Sequence, residues 1–340
     1  MIPGLAAFSR RLGAKTIANL PFPLRKKLVA PLFARGMVGG RQTEGESAPL
    51  TYPALMLPRL DTMAAALEAN PAVVVTIPPP PASMGLQVEK LVDLLGGRVR
   101  NCFGCSDEAL AEDLARVLPS IVIGSAAATV TALCHLRKQQ PAQFDRVRDA
   151  LRFLVNLDPL GPLSRARVIA TERAFDADVT NVFTDASSFA FMSCPCGVIH
   201  PLPHYHLEVV DQQGNPTAGP GRMVVSDRLR NSPPVKRYAT PYRVTVYSSP
   251  CSFLGQAAAV TCHGRQGEQL QTPAGAVGLL DLEEQLFTHG LFTSYSVRVD
   301  QGDWCLTALP FPGEEVDAGA VAEGLCTRFK LPVNVDLISD

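Results

Sequence analysis

Apolar and polar positions along the chain fall into two textures. Over residues 57–69 the segment LPRLDTMAAALEA has apolar side chains at helical spacing, and Asn70-Pro71 stops it. AVVVTI, residues 72–77, is a β-branched run closed by prolines and predicts a buried strand. LQVEKLVDLLGG (86–97) is amphipathic with a glycine end, and VRNCFG predicts a second strand. DEALAEDLARVL then predicts a helix, SIVIGS (120–125) a strand, TVTALCHLRKQQ (129–140) and FDRVRDALRFL further helical segments, and FLVNL another buried strand. Wholly apolar strands alternating with amphipathic helices are the mark of a parallel sheet covered by helices.

Past Phe183 the period shortens to two. HLEVVDQQGNPTAG, GRMVVSDRL and YRVTVYSS predict antiparallel strands and hairpins, with Gly214-Asn215 at one turn. After Gly264-Arg265 a polar stretch, QGEQLQTPAG, leads to a helix (LLDLEEQLFTHG), two strands (SYSVRVD, WCLTALPF), a helix (VDAGAVAEGLCTRF) and a strand (VNVDLI). The expected organisation is an irregular segment over 1–50, a large α/β domain over 51–265 and a small α+β domain over 266–340, hinged near 266–273. The fold class is α/β.

Composition narrows the function classes. The chain has 340 residues, 46% hydrophobic and 19% charged, enough to bury a sizeable core. A formal net charge of −1 lacks the clustered Lys/Arg that a nucleic-acid binder needs to replace phosphate counterions. The basic stretch over 10–27 is interleaved with Leu, Phe and Pro and reads as a solvated helix face. No apolar run approaches membrane-span length, and the first 20 residues lack the order of a secretory signal. Nine cysteines without a small-domain framework read as reduced thiols and metal ligands, which places the protein in the cytoplasm.

The densest chemistry lies in SCPCGVIHPLPHYH. Cys194 and Cys196 followed by His200 can chelate a tetrahedral zinc, since thiolate and imidazole are its preferred ligands. A further ligand must come from elsewhere: Cys251, just past a strand, is the first candidate, and Cys262 and His263 are next. Three thiolates and one imidazole would close the coordination sphere, which favours a structural zinc over a metal that activates water. His204 and His206 share one strand face, and Cys102 and Cys105 form a Cys-x-x-Cys with no second pair at ribbon spacing, so the two read as a chance pairing of buried thiols.

The order of segments from Ser120 onward, through LRFLVNLDPLGPLSRARVIATERAFDADVTNVFTDASS, the Cys/His cluster, KRYATPYRVTVYSSPC and CHGR, resembles the adenylate-forming (acyl-CoA synthetase-like) superfamily. The resemblance covers roughly residues 55–340 and is closest to the phenylacetate–CoA ligase branch and its shortened relatives. It implies a large adenylate-forming-type α/β domain, truncated at its N-terminus, then a mobile small domain. It also implies activation or transfer of an aromatic or acyl carboxylate, with ATP or AMP and magnesium as nucleotide and metal, CoA or a carrier protein as acceptor, and possible homodimers. The branch often carries a zinc held by a Cys, a His and a later Cys-x-Cys. Cys196 (or Cys194), His200 and Cys251 match, whereas Phe253 stands at the last position and Cys194 would complete the set.

The nucleotide motifs are eroded. GGRQTEGESAPLTYP is poor in the small hydroxyl residues that cradle a triphosphate. The aromatic that stacks on adenine corresponds to Phe183, but the magnesium-site glutamate corresponds to Ser187, leaving Asp185 as a partial substitute. Arg237 and Tyr238 keep the start of the Arg-Tyr-x-Thr-Gly-Asp motif, while Tyr242 replaces its ribose-binding aspartate. Arg265 keeps the hinge-side Gly-Arg, and no counterpart of the C-terminal adenylation lysine is evident. Each lost carboxylate removes on the order of 2–4 kcal/mol of binding or transition-state stabilisation. Those losses weigh against ordinary ATP-driven adenylation. They leave two readings, a shortened acid-activating or acyl-transferring enzyme and a non-catalytic relative that binds a ligand or partner.

Overall fold

The computed structural model describes residues 60–78, 88–89, 92–93, 95–157, 161–184, 190–193, 198–201, 205–227, 237–249, 258–272, 275–300 and 303–338. The irregular segment expected over 1–50, and the residues Asp185, Ser187, Cys194, Cys196, His204 and Cys251, lie outside them.

The elements run α1 (Leu60–Ala69), β1 (Ala72–Val75), β2 (Arg98–Asn101), α2 (Asp107–Val117), β3 (Ile121–Gly124), α3 (Ala126–Gln139), α4 (Pro141–Ala150), β4 (Phe153–Asn156), α5 (Arg165–Phe175) and β5 (Asp178–Thr184). The strand-rich part follows: β6 (Ala190–Ser193), β7 (Ile199–His200), β8 (Tyr205–Val210), β9 (Gly221–Asp227), β10 (Tyr238–Ser248) and β11 (Ala258–Arg265). The last elements are β12 (Gln269–Thr272), β13 (Gly275–Gly278), α6 (Leu279–Leu286), a short 3-10 turn, β14 (Phe292–Asp300), β15 (Asp303–Pro310), α7 (Ala318–Phe329) and β16 (Val333–Leu337).

Strands β1 to β5 pair in parallel in the order β2-β1-β3-β4-β5, and the sheet continues through the antiparallel strands β6-β7-β11-β10-β9-β8. The central strands β3 and β4 are buried on both faces, which is why IVIG and FLVN read as unbroken apolar runs rather than alternating ones. Helices start where the sequence supplies a cap. The Ser106 hydroxyl accepts from the Ala109 N–H, and that of Ser125 from the Ala128 N–H. The Ser125 cap starts α3 at Ala126, ahead of the helical spacing read from residue 129.

Two buried asparagines fix the ends of β4 and β5. Asn156 accepts from the Ala126 N–H at 3.1 Å and donates to Asn181 Oδ1 at 3.1 Å. Asn181 in turn accepts from the Leu163 N–H and donates to the Leu163 carbonyl, both at 3.0 Å. Buried amides of this kind persist only when satisfied, and here they hold the chain leading into α5 against the sheet.

The expected hinge region forms a hairpin, β12–β13, paired from Gln269–Gly278 to Thr272–Gly275. Beyond it β14, β15 and β16 make a three-stranded sheet in that order, the last pair parallel. One apolar cluster joins this terminal unit to the helical face of the large sheet: Phe144 and Phe175 meet Phe311 at ring-centroid distances of 6.1 and 5.4 Å. The terminal unit is thus docked through a continuous core onto α3, α4 and α5.

Candidate functional site

The end of β5, the middle of β10 and the end of β11 converge on an aromatic cluster. Tyr242 and Arg265 are direct cross-strand partners, and the Arg265 guanidinium carbon sits 5.5 Å from the centre of the Tyr242 ring. The Tyr242 ring meets Phe183 edge-on, with centroids 4.6 Å apart and planes at 86°. Phe183 also meets Phe191 at 5.9 Å, and Phe191 meets Tyr205 at 5.5 Å. Phe183 is 0% exposed and Tyr242 1%, so the aromatic expected to stack on a base is enclosed by its neighbours.

The expected site therefore divides. Phe183, Tyr242 and Arg265 come together, whereas Arg237 and Tyr238 lie toward the start of β10, where Tyr238 pairs with Val225. Arg237 is exposed, donates to Glu208 at 2.5 Å, and uses its backbone N–H on the Ser226 hydroxyl at 2.9 Å. Four residues of strand separate Tyr238 from Tyr242, roughly 13 Å at the usual rise per residue. Arg237 and Tyr238 are placed apart from that cluster, a separation that motif order alone did not reveal.

Of the four expected zinc ligands only His200 lies among the described residues. It is 1% exposed on β7, and its Nδ1 is 2.6 Å from the Ala258 carbonyl oxygen. Since a carbonyl only accepts, Nδ1 donates to it. Among the described residues no group of three or more His, Cys, Asp or Glu is gathered to hold a metal.

The alternative ligands, Cys262 and His263, are engaged otherwise. Burial pushes the Cys262 thiol up to about 12. Both ring nitrogens of His263 are occupied, Nδ1 by Asp281 Oδ1 at 2.7 Å and Nε2 by Thr245 Oγ1 at 2.9 Å. Thr245 and Asp281 had no sequence signal, because they lie 18 residues to either side of His263.

Beside these residues is a cleft of about 540 Å³, between the sheet face carrying β7, β10 and β11 and the helices α5 and α6. Val168, Ile169, Val198, Ile199, Tyr247 and Val260 form its apolar wall. Arg165, Arg328, Glu172 and Glu284 supply charge at its border, and His263 and Asp281 line it.

No protein-family model matches the chain. No curated protein matches it by sequence either. Solved structures do resemble it. A 2-hydroxyisobutyryl-CoA ligase in the postadenylation state, in complex with 2-HIB-AMP, superposes with a TM-score of 0.61 at 12% identity, covering 84% of this chain and 66% of that one. The anthranilate CoA ligase AuaEII in complex with anthranoyl-AMP gives 0.54 at 15% identity, covering 83% and 60%. The amide bond synthetase McbA from Marinactinospora thermotolerans gives 0.52 at 16% identity, covering 83% and 61%. The chain thus has the α/β fold of adenylate-forming ligases and spans less than two thirds of the length of these structures. Among the described residues no helix is long and apolar enough to cross a membrane.

Proposed function

We propose that this protein handles an aromatic or acyl carboxylate on an adenylate-forming-type scaffold whose nucleotide half has been closed. One observation carries the reading. Tyr242, at the position that matches the ribose-binding aspartate, is buried edge-on against Phe183, at the position that matches the adenine-stacking aromatic. A stacked base needs a free ring face, and a ribose needs an acceptor for its hydroxyls. Tyrosine supplies neither the charge nor the bidentate geometry of a carboxylate. Arg265 lies over the Tyr242 ring, so its charge is directed to an aromatic face instead of to a phosphate.

The same proposal keeps the phenylacetate–CoA ligase branch as the nearest relation and CoA or a carrier protein as acceptor. Asp185 would be the residual magnesium ligand, Arg237 and Tyr238 a nucleotide-side edge, and 266–340 a separate C-terminal unit. It also keeps a structural zinc on Cys194, Cys196, His200 and Cys251, tested by elemental analysis of the purified protein.

Thermal-shift titration with ATP and magnesium tests the central claim, because a ligand that binds only the folded state must raise its stability. The expected result is no shift at millimolar ATP and no pyrophosphate exchange with any acid of an aryl and fatty panel, together with a shift by at least one of those acids. A shift with ATP and acid-dependent exchange would return the protein to ordinary adenylation. No shift with any acid would favour the second reading, a scaffold for a partner enzyme.

A further inference from the structure

We propose that Thr245, His263 and Asp281 form a nucleophile–base–carboxylate relay beside the 540 Å³ cleft, which takes an acyl group from an already activated acyl ester or thioester; His263 and Asp281 line the cleft, and Thr245 stands two residues along β10 from Tyr247, on the strand face that also lines it. The relay goes beyond the function proposed above, and its residues are distinct from the Phe183–Tyr242–Arg265 cluster.

The geometry sets the proton positions. A carboxylate only accepts, so the 2.7 Å contact with Asp281 places a proton on His263 Nδ1. With that proton on Nδ1, a ring carrying no second proton has its lone pair on Nε2, 2.9 Å from Thr245 Oγ1, where it can accept from the hydroxyl. A hydroxyl donating to an imidazole whose other nitrogen is fixed by a carboxylate is the arrangement that activates an oxygen nucleophile.

Local backbone features bring these groups together. The β10–β11 ladder steps from the pair Arg243–Gly264 to Val244–Cys262, which leaves His263 as the extra residue of a bulge. Gly264, at φ +106, lies in the left-handed region open to glycine and permits that step. Val244 is buried in the core and Cys262 packs against it, while Thr245 is only half-buried and His263 lines the cleft. Asp281 sits in the first turn of α6, where Oδ2 accepts the Gly278 N–H at 3.2 Å while Oδ1 faces the histidine. The carboxylate is thereby held in one orientation.

The chemistry balances without a further reagent. The Thr245 hydroxyl proton passes to His263 Nε2 as the Oγ–carbonyl carbon bond forms. The bond from that carbon to the leaving oxygen or sulfur then breaks, and the leaving group takes the proton from Nε2. Water, or an acceptor amine or thiol, later releases the acyl group by the reverse proton path. The apolar wall of Val168, Ile169, Val198, Ile199, Tyr247 and Val260 suits an aryl or short alkyl acyl chain.

The test uses the full chain with p-nitrophenyl butyrate, a probe that contains no nucleotide, so its outcome is separate from that of the ATP titration. The wild type is expected to release nitrophenolate and to carry a butyryl adduct on the peptide containing Thr245 after acid quench. Thr245→Val and His263→Gln should each lower kcat/KM by about 100-fold or more, and Thr245→Ser should retain activity and adduct. A wild type no faster than buffer, equal rates for wild type and Thr245→Val, or an adduct only at another residue would overturn the proposal. If the valine variant fails to fold, the adduct on the wild-type peptide decides, its presence supporting the relay and its absence overturning it.

Discussion

Glu283 on α6 meets Arg167 on α5 in an ion pair of 2.6 Å, joining segments 116 residues apart. The same carboxylate accepts from the Tyr295 hydroxyl at 3.0 Å and from the Ser164 N–H at 3.4 Å, while its neighbour Glu284 accepts from the Ala166 N–H at 2.9 Å. Helix α5 has no acidic residue in its own first turn, so α6 supplies the negative charge that its N-terminus favours. Burial, with the Glu283 charge beside it, pushes the Tyr295 phenol well above its ordinary range, which keeps it a donor at neutral pH. Glu283→Ala would leave the half-buried Arg167 without its carboxylate and should cost about 3 kcal/mol in denaturant unfolding. Glu283→Gln, which keeps an acceptor, should cost less.

The enclosure of Tyr242 gives a second prediction. Tyr242→Ala removes a ring that fills space between Phe183 and Arg265, and the surrounding sheet can collapse only in part. A loss of about 3–5 kcal/mol is expected from urea unfolding.

At Gly278 the chain entering α6 passes close against the backbone of β11. A Cβ built there would lie 1.7 Å from the His263 carbonyl oxygen, a backbone atom that cannot swing away. Gly278→Ala should therefore push the start of α6 from β11, destabilise the protein by more than about 2 kcal/mol, and slow the ester probe through a misplaced Asp281. Calorimetry and the nitrophenolate assay measure the two effects.

Thiol chemistry separates buried from open cysteines. Cys105 is exposed, whereas burial raises the Cys102 thiol and pushes that of Cys262 from 9.0 up to about 12. Iodoacetamide at neutral pH, followed by peptide mapping, should label Cys105 well before Cys102 or Cys262. The sign for stability follows from which state holds the proton. Between pH 9.0 and about 12 the unfolded chain releases the Cys262 proton that the folded chain keeps. Stability should then fall as pH rises through that window, by up to about 1.4 kcal/mol per pH unit per such proton. A Cys262→Ala variant should show a shallower alkaline slope.

Much of the parallel half was legible because its signals are local. The apolar runs at 72–77, 120–125 and 153–157 became β1, β3 and β4, and glycine or serine punctuation marked their neighbours. Helix α5 was not legible. RARVIATERAF interrupts its apolar stripe with charges, and those charges find partners in other segments, Arg167 in α6, Arg173 in the loop after β15 and Glu172 on β5. The polar stretch expected as a plain hinge forms the β12–β13 hairpin, whose pairing no short window of sequence encodes.

The chain's own pattern determined the α/β class, the buried parallel strands and the low charge, since periodicity and composition act within a few residues or over the whole chain. Tertiary structure decided which side chains meet. Tyr242 faces Arg265 because of strand register, and Thr245 meets His263 because a bulge adds a residue to β11. Asp281 completes that set because Gly278 lets a helix start against a strand backbone. Register, bulges and close backbone approach are properties of paired strands, so they arise only when distant segments are brought together.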